Sequence, residues 1–122
     1  MHEIIFYENE KGENSVIEYI KTLANQNGKD SRIKLKKIYE YLKILEVNGK
    51  TAGEPYMKHL DDDIWELRPL SDRILFAGFV NDSFVILHHF QKKTQKTPSR
   101  EIKKAKKELA DFIERCDQND QY

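Results

Sequence analysis

Arg68 and Arg73 flank the four-residue stretch Pro69-Leu70-Ser71-Asp72, and that spacing is the first chemical signal in this sequence. Ile64-Trp65-Glu66-Leu67-Arg68 alternates apolar and charged residues, the period-2 pattern of a half-buried strand. Pro69 to Asp72 is turn chemistry, because proline presets φ and Asp or Ser side chains bond their own backbone. Arg73 to Val80 then resumes a strand. If the turn is a four-residue loop, the two arginines face each other across a hairpin on one face of the sheet. Directly opposed like charges destabilise a strand pair unless something anionic lies between them. Glu66 shares that face, so the competing reading is a solvated surface pair neutralised by Glu66.

Further groups gather around the same point. Asn81-Asp82 marks a second turn, and Ser83 to Phe90 is β-branched and aromatic, a third strand. Adjacent strand residues point to opposite faces, so His88 and His89 cannot chelate one metal together. With a two-residue turn at Asn81-Asp82, His88 and Phe90 share the face of Arg73, and a one-residue slip would bring in His89 instead. Lys92 and Lys93 follow the strand and can reach the same surface. Arginine forks bind phosphate oxygens, lysine adds point charge, and an aromatic ring can stack a base. Cleavage of RNA without a metal needs a base for the 2′-hydroxyl, an acid for the leaving oxygen and cations on the phosphorane. This set could supply all three, although RNA-binding modules use the same mixture.

The elements that must hold these residues can be read in order. His2 to Tyr7 fits an edge or central strand, and Asn14 or Ser15 can cap a helix carrying Val16, Ile17, Ile20, Leu23 and Ala24 on one face. Asn27-Gly28 should end it in the left-handed way. Asp30 or Ser31 should cap a second helix reaching about Val47, with Leu35, Ile38, Tyr39, Leu42 and Leu45 as its apolar stripe and Asn48-Gly49 as its stop. So short a connection implies an antiparallel helical hairpin. Tyr56 to Leu60 is a short strand before the acidic turn Asp61-Asp62-Asp63. Thr97 as N-cap with Pro98 at the first helical position starts a last helix, lined by Ile102, Ala105, Leu109, Phe112, Ile113 and Cys116. The tail beyond Asp117 is polar and should fray. The order predicts an α+β fold: a small, twisted antiparallel sheet with an N-terminal αα-hairpin and a C-terminal helix, in one domain over residues 1–122.

Composition narrows the function classes. The chain has 122 residues, 34% of them charged, and a formal net charge of zero. That zero conceals segregation: from Lys92 to Lys107 there are 8 basic residues against Glu101, and from Glu108 to Asp120 there are 5 acidic residues against Arg115. A local anion-binding surface follows, although Lys103, Lys104, Lys106 and Lys107 read best as a solvated helix face. Cys116 is the only cysteine, which excludes a disulfide framework and fits a reducing cytoplasm. The first residues carry no signal peptide, and no apolar run approaches membrane-spanning length. No glycine-rich phosphate loop or nucleophile elbow is present, and no metal or other cofactor is expected.

The run from IWELRPLSDRILF through ILHHFQKKTQKTPSREIKKAKKELADF resembles the HigB branch of the RelE/ParE-type toxins, the phage Gp49-like proteins. The matching parts are Glu66-Leu67-Arg68, Arg73, His88-His89-Phe90 and Lys92-Lys93-Thr94-Gln95-Lys96-Thr97-Pro98. They cover about the last half of the chain, while the first half agrees only in layout. The resemblance implies a RelE-like fold and a ribosome-dependent mRNA endoribonuclease that halts translation. Carried over, Arg68 and Arg73 would neutralise the scissile phosphate, His88, Lys92 and Lys93 would be candidates for proton transfer, and Lys58, Phe90 and Lys96 would contact RNA. It also implies a helix-turn-helix, HigA-like antitoxin that takes the pair to operator DNA, with a heterotetramer as one assembly. Relatives are commonly basic, so docking of this neutral chain on a ribosome would rely on local patches. The alternative is a non-catalytic phage or host regulator that keeps the fold and binds RNA or protein.

Overall fold

The computed structural model describes residues 1–119. Ile4–Phe6 forms β1, Ser15–Ala24 forms α1 and Lys29–Asn48 forms α2. Four strands follow: β2 Met57–Asp61, β3 Ile64–Leu67, β4 Asp72–Phe79 and β5 Ser83–Gln91. Ser99–Asn119 forms α3, so the expected fraying does not begin at Asp117, and residues 120–122 lie outside the described residues. The sheet order is β1-β5-β4-β3-β2. Strands β2 to β5 form the expected antiparallel meander, but β1 pairs with β5 in parallel and makes the sheet mixed. The helical hairpin carries the chain from one sheet edge to the other, and the meander returns β5 beside β1 in the same direction.

Asn14 fixes the start of the hairpin. Its Oδ1 accepts from the backbone N–H of Val16 (2.8 Å) and Ile17 (3.2 Å), capping α1. Its Nδ2 donates to the carbonyls of Tyr7, Ile86 and Leu87 at 2.7, 3.1 and 3.2 Å, pinning α1 where β1 and β5 diverge. The hairpin connection departs from expectation. α1 ends at Asn25 in right-handed geometry, and Gly28 rather than Asp30 or Ser31 precedes α2 without a side-chain cap. Asp30 instead pairs with Lys34 at 3.4 Å, and Ser31 is buried against the Gln26 side chain. The stop at Asn48-Gly49 is as read, with Gly49 at φ +62.

Two cores flank the sheet. The hairpin face buries Val16, Leu23, Ile38 and Leu45 against Met57, Leu67, Ile74, Phe76, Phe84 and Ile86. The α3 face buries Ala105 and Leu109 against Tyr7, Ile64, Leu75, Ala77, Val85 and Leu87. Phe76 is fully buried, a contribution of about 1.5–3 kcal/mol from its side chain alone. Three stripe residues are less enclosed than their spacing suggests: Tyr39 is 54% exposed, Ile113 is exposed, and Trp65 is only partly buried beneath the Lys50 ammonium. Lys106 is no solvated bystander either, for it pairs with Asp61 (2.7 Å) and Asp62 (3.0 Å) and ties α3 to the acidic turn.

The β4–β5 hairpin sets which histidine faces where. Its loop has three residues, Val80–Asp82, with Phe79 opposite Ser83, and not the two-residue Asn81-Asp82 turn. A register shift between Leu75 and Phe76 then pairs Phe76 with Ile86 but Leu75 with His88. The extra loop residue and the bulge at Leu87 cancel. His88 and Phe90 therefore share the face of Arg73, as the two-residue turn would also have given.

Candidate functional site

The β3–β4 register pairs Leu67 with Ile74, and extending it by one residue sets Arg68 opposite Arg73. The Asp72 N–H donates to the Pro69 carbonyl at 3.0 Å, closing the turn, and Leu70 at its tip has φ +57. A leucine in the left-handed region costs about 1–2 kcal/mol, a strain borne at the turn that aims both arginines. The Leu70 carbonyl accepts from Arg73 Nη1 at 2.8 Å, and the Asp72 carbonyl accepts from the same atom at 2.8 Å. Arg73 is thus a built-in cation, its side chain only 7% exposed. Burial pulls its pKa down and Arg68 adds to that, while Glu66 opposes it. A guanidinium remains charged under any physiological condition.

Glu66 is the hub between the arginines. Its buried carboxylate lies 3.9 Å from Arg68 Nε and 3.7 Å from Arg73 Nε, too long for hydrogen bonds, and it accepts one from Thr97 Oγ1 at 2.7 Å. Thr97 is therefore not the helix cap: α3 begins at Ser99 behind Pro98, whose carbonyl accepts from the Glu101 N–H at 3.0 Å. The threonine turns inward and stitches the basic segment to the arginine hairpin. Arg68 Nε is buried with no hydrogen-bond partner among the described residues. One carboxylate thus leaves two guanidinium groups under-compensated.

A cleft of 540 Å³ opens over this arrangement. Six cationic side chains line it (Arg68, Arg73, Lys92, Lys93, Lys96 and Arg100) against the carboxylates Glu66 and Glu101. No acidic side chain pairs with Lys92, Lys93 or Lys96 among the described residues. Phe90, paired with Arg73 across the strands, lines the same space. Lys58 stands opposite Glu66 in the β2–β3 register but is exposed and outside the lining. A polyanion with planar groups fits such a cleft: phosphates on the cations, a base against the ring. Among the described residues, no cluster of three or more His, Cys, Asp or Glu could hold a metal ion.

The two histidines divide in a way their spacing does not reveal. His88 points toward α3 and is 1% exposed, with Nδ1 2.5 Å from Glu108 and Nε2 3.0 Å from Glu101. It clamps α3 to β5 and is not part of the cleft lining. His89 is. Its ring stacks on Tyr19 (centroids 3.8 Å apart, planes at 15°), and its Nε2 lies 2.9 Å from the buried Asp72 Oδ1. Tyr19, Asp72 and Thr97 were invisible as site residues: one lies on a helix, one in a turn and one at an expected cap. The strand pattern puts His89 on the hairpin face. It does not show that the cleft curls round the end of the sheet to reach that face.

Residues 13–110 match the family described as "Phage derived protein Gp49-like (DUF891)". The chain belongs to the Gp49-like family. No curated protein matches it. Among solved structures, it is similar to a chain of the archaeal RelE–RelB complex from Pyrococcus horikoshii OT3, with a TM-score of 0.51 and 15% identity over 78% of this chain and 98% of that one. At that identity the likeness establishes the fold, a RelE-like α+β architecture. For the Gp49-like chain, no helix among the described residues is long and apolar enough to cross a membrane.

Proposed function

We propose that this Gp49-like protein is the toxin of a type II toxin–antitoxin pair, a HigB-like endoribonuclease that cuts mRNA on the ribosome in the cytoplasm. The observation that carries the reading is the opposed pair Arg68 and Arg73 at the floor of a six-cation cleft. In the proposed reaction the 2′-hydroxyl attacks its own phosphate, and the phosphorane charge is met by the two guanidinium groups with Lys92 and Lys93. Phe90 and Lys96 would hold flanking nucleotides, and Lys58 would reach the message from the cleft's rim. The products are a 2′,3′-cyclic phosphate and a 5′-hydroxyl.

The likeness to a chain of a RelE–RelB complex supports a partner that neutralises the toxin. A HigA-like antitoxin with a helix-turn-helix domain would cover the cleft or hold the toxin off the ribosome, and would alone contact operator DNA, in a heterotetramer as one possible assembly. Expression with and without the neighbouring reading frame tests the pair, and end-group analysis of the message tests the chemistry. Growth arrest with a 2′,3′-cyclic end, lost in Arg68→Ala, is the expected result. A 3′-hydroxyl with a 5′-phosphate would overturn the mechanism. Message binding without cleavage would leave a non-catalytic regulator.

A further inference from the structure

We propose that His89, oriented by Asp72, is the base that takes the 2′-hydroxyl proton, an assignment that rests on the ribonuclease reading above. The cleft holds few groups able to accept a proton near neutral pH. Lys92, Lys93 and Lys96 are ammonium ions there. The Glu66 carboxylate is buried, engaged by Thr97 and flanked by both arginines. Glu101 is engaged by His88. Tyr19 is a neutral phenol, its pKa pushed up to about 12 chiefly by burial. His89 differs from all of these. Its Nε2 faces Asp72 at 2.9 Å, while its Nδ1 has no hydrogen-bond partner among the described residues.

The surroundings of the ring suit that task. Asp72 is 1% exposed and precedes Arg73 in β4, so one strand residue orients the base and the next binds the phosphate. With Nε2–H donated to the carboxylate, the neutral tautomer presents its lone pair on Nδ1. The carboxylate and the Tyr19 ring face then favour the imidazolium once the proton has moved. The Ser15 hydroxyl accepts from the His89 backbone N–H at 2.9 Å and fixes the strand end. The charged side chain at the ring is Asp72 from β4, the titratable Tyr19 phenol from α1 lies against its face, and the cations Arg73 and Lys92 line the same cleft. In the step itself, Nδ1 takes the proton as the O2′–P bond forms. The P–O5′ bond breaks, and O5′ takes a proton from an ammonium of the Lys92–Lys93 pair. No electrons are transferred.

The test is single-turnover cleavage on programmed ribosomes from about pH 5.5 to 9, comparing the parent with His89→Gln and Asp72→Asn. The parent rate should rise with pH through one ionisation and then level. His89→Gln should lower the rate about 100-fold or more and flatten the profile, with message affinity unchanged. Asp72→Asn removes the carboxylate that orients the ring, so its rate should fall about 10-fold or more with message affinity unchanged. Melting curves monitor folding, and His89→Ala with added imidazole gives a second readout, because rescue needs only the missing base. A parent that does not cleave overturns the functional reading and this assignment with it. A cleaving parent with an unchanged His89→Gln, or an affinity loss at constant rate, overturns the base assignment alone. An unchanged rate in Asp72→Asn, or a fall in message affinity alone, overturns the positioning role.

Discussion

Replacing Arg73 with alanine removes two hydrogen bonds to carbonyls, at 2.8 Å each, and one of the two cations beside Glu66. The Leu70 and Asp72 carbonyls lose a charged donor, and the Glu66 carboxylate stays buried with only Thr97 and a more distant Arg68. Removing one partner of a buried pair costs about 3–5 kcal/mol, and a hydrogen bond from a charged group is worth about 1.5–3. Because Arg68 remains, about 3 kcal/mol is the expected loss for Arg73→Ala. The same change at Arg68 is different: its side chain is 27% exposed and its Nε has no partner. There the loss of a weak attraction to Glu66 is offset by relief of repulsion from Arg73, so the change should stay within about 1 kcal/mol. Arg73 is thus not a solvated strand residue, because the turn encloses it. Urea titration of both variants measures the contrast through the midpoint, with the slope checked for constancy. Equal midpoints would refute the claim that Arg73 is a structural cation as well as a phosphate ligand. It follows that cleavage lost in Arg73→Ala is ambiguous between the two roles, and Arg68→Ala is the cleaner test of the site.

Other positions give equally direct checks. Asn14→Ala should cost about 2 kcal/mol by removing both the α1 cap and the donor to three carbonyls. Asn14→Asp keeps the cap but sets a carboxylate against those carbonyls, so its thermal midpoint should fall further than that of the alanine variant. Thr97→Val strips a hydroxyl donor from the buried Glu66 and should cost about 1.5 kcal/mol, which Thr97→Ser should recover by the same denaturation assay. Tyr7 and Tyr19 are both raised from 10.0 to about 12, chiefly by burial, so the folded state holds their protons more tightly than the unfolded chain. Their contribution is complete below pH 10 and is lost as pH rises from 10 through about 12, so stability should fall across that window. Tyr7→Phe should flatten the decline.

Much of this could be read from one chain, and the boundary is physical. The alternation of Trp65, Leu67, Ile74 and Phe76 fixed the parity of the hairpin, and parity alone puts Arg68 and Arg73 together. Turn chemistry at Pro69–Asp72 and the stop at Gly49 were legible because they follow from local backbone geometry. Coverage was not. Periodicity says which face a residue takes, never what later lies over it, so Arg73 is buried where a charged strand residue suggests a solvated one. Pairing partners were hidden for a similar reason, since nothing in Ile4–Phe6 specifies a parallel neighbour 80 residues away (Ile4 pairs with Phe84).

The histidine pair shows how a correct face can arise from an incorrect premise. A two-residue turn and a three-residue loop followed by a bulge at Leu87 give the same pairing at His88 and Phe90, because each irregularity shifts the register by one. The difference falls entirely on the residues between. The bulge puts both Leu87 and His88 on the α3 face, so a titratable ring enters a covered layer and must be satisfied by Glu101 and Glu108. The neighbouring His89, on the face where a sequence reading puts no chemistry, lines the cleft with its Nε2 held by Asp72. The clamp also gives α3 a reason to carry carboxylates at 101 and 108, inside and just beyond a stretch otherwise rich in lysine. Those two side chains face His88 of β5, while Lys106 turns to Asp61 and Asp62 in the acidic turn. A neutral chain can still present a cationic cleft, because the cleft draws its cations from the β3–β4 hairpin and the 92–100 segment while acidic side chains of α3 are spent on His88.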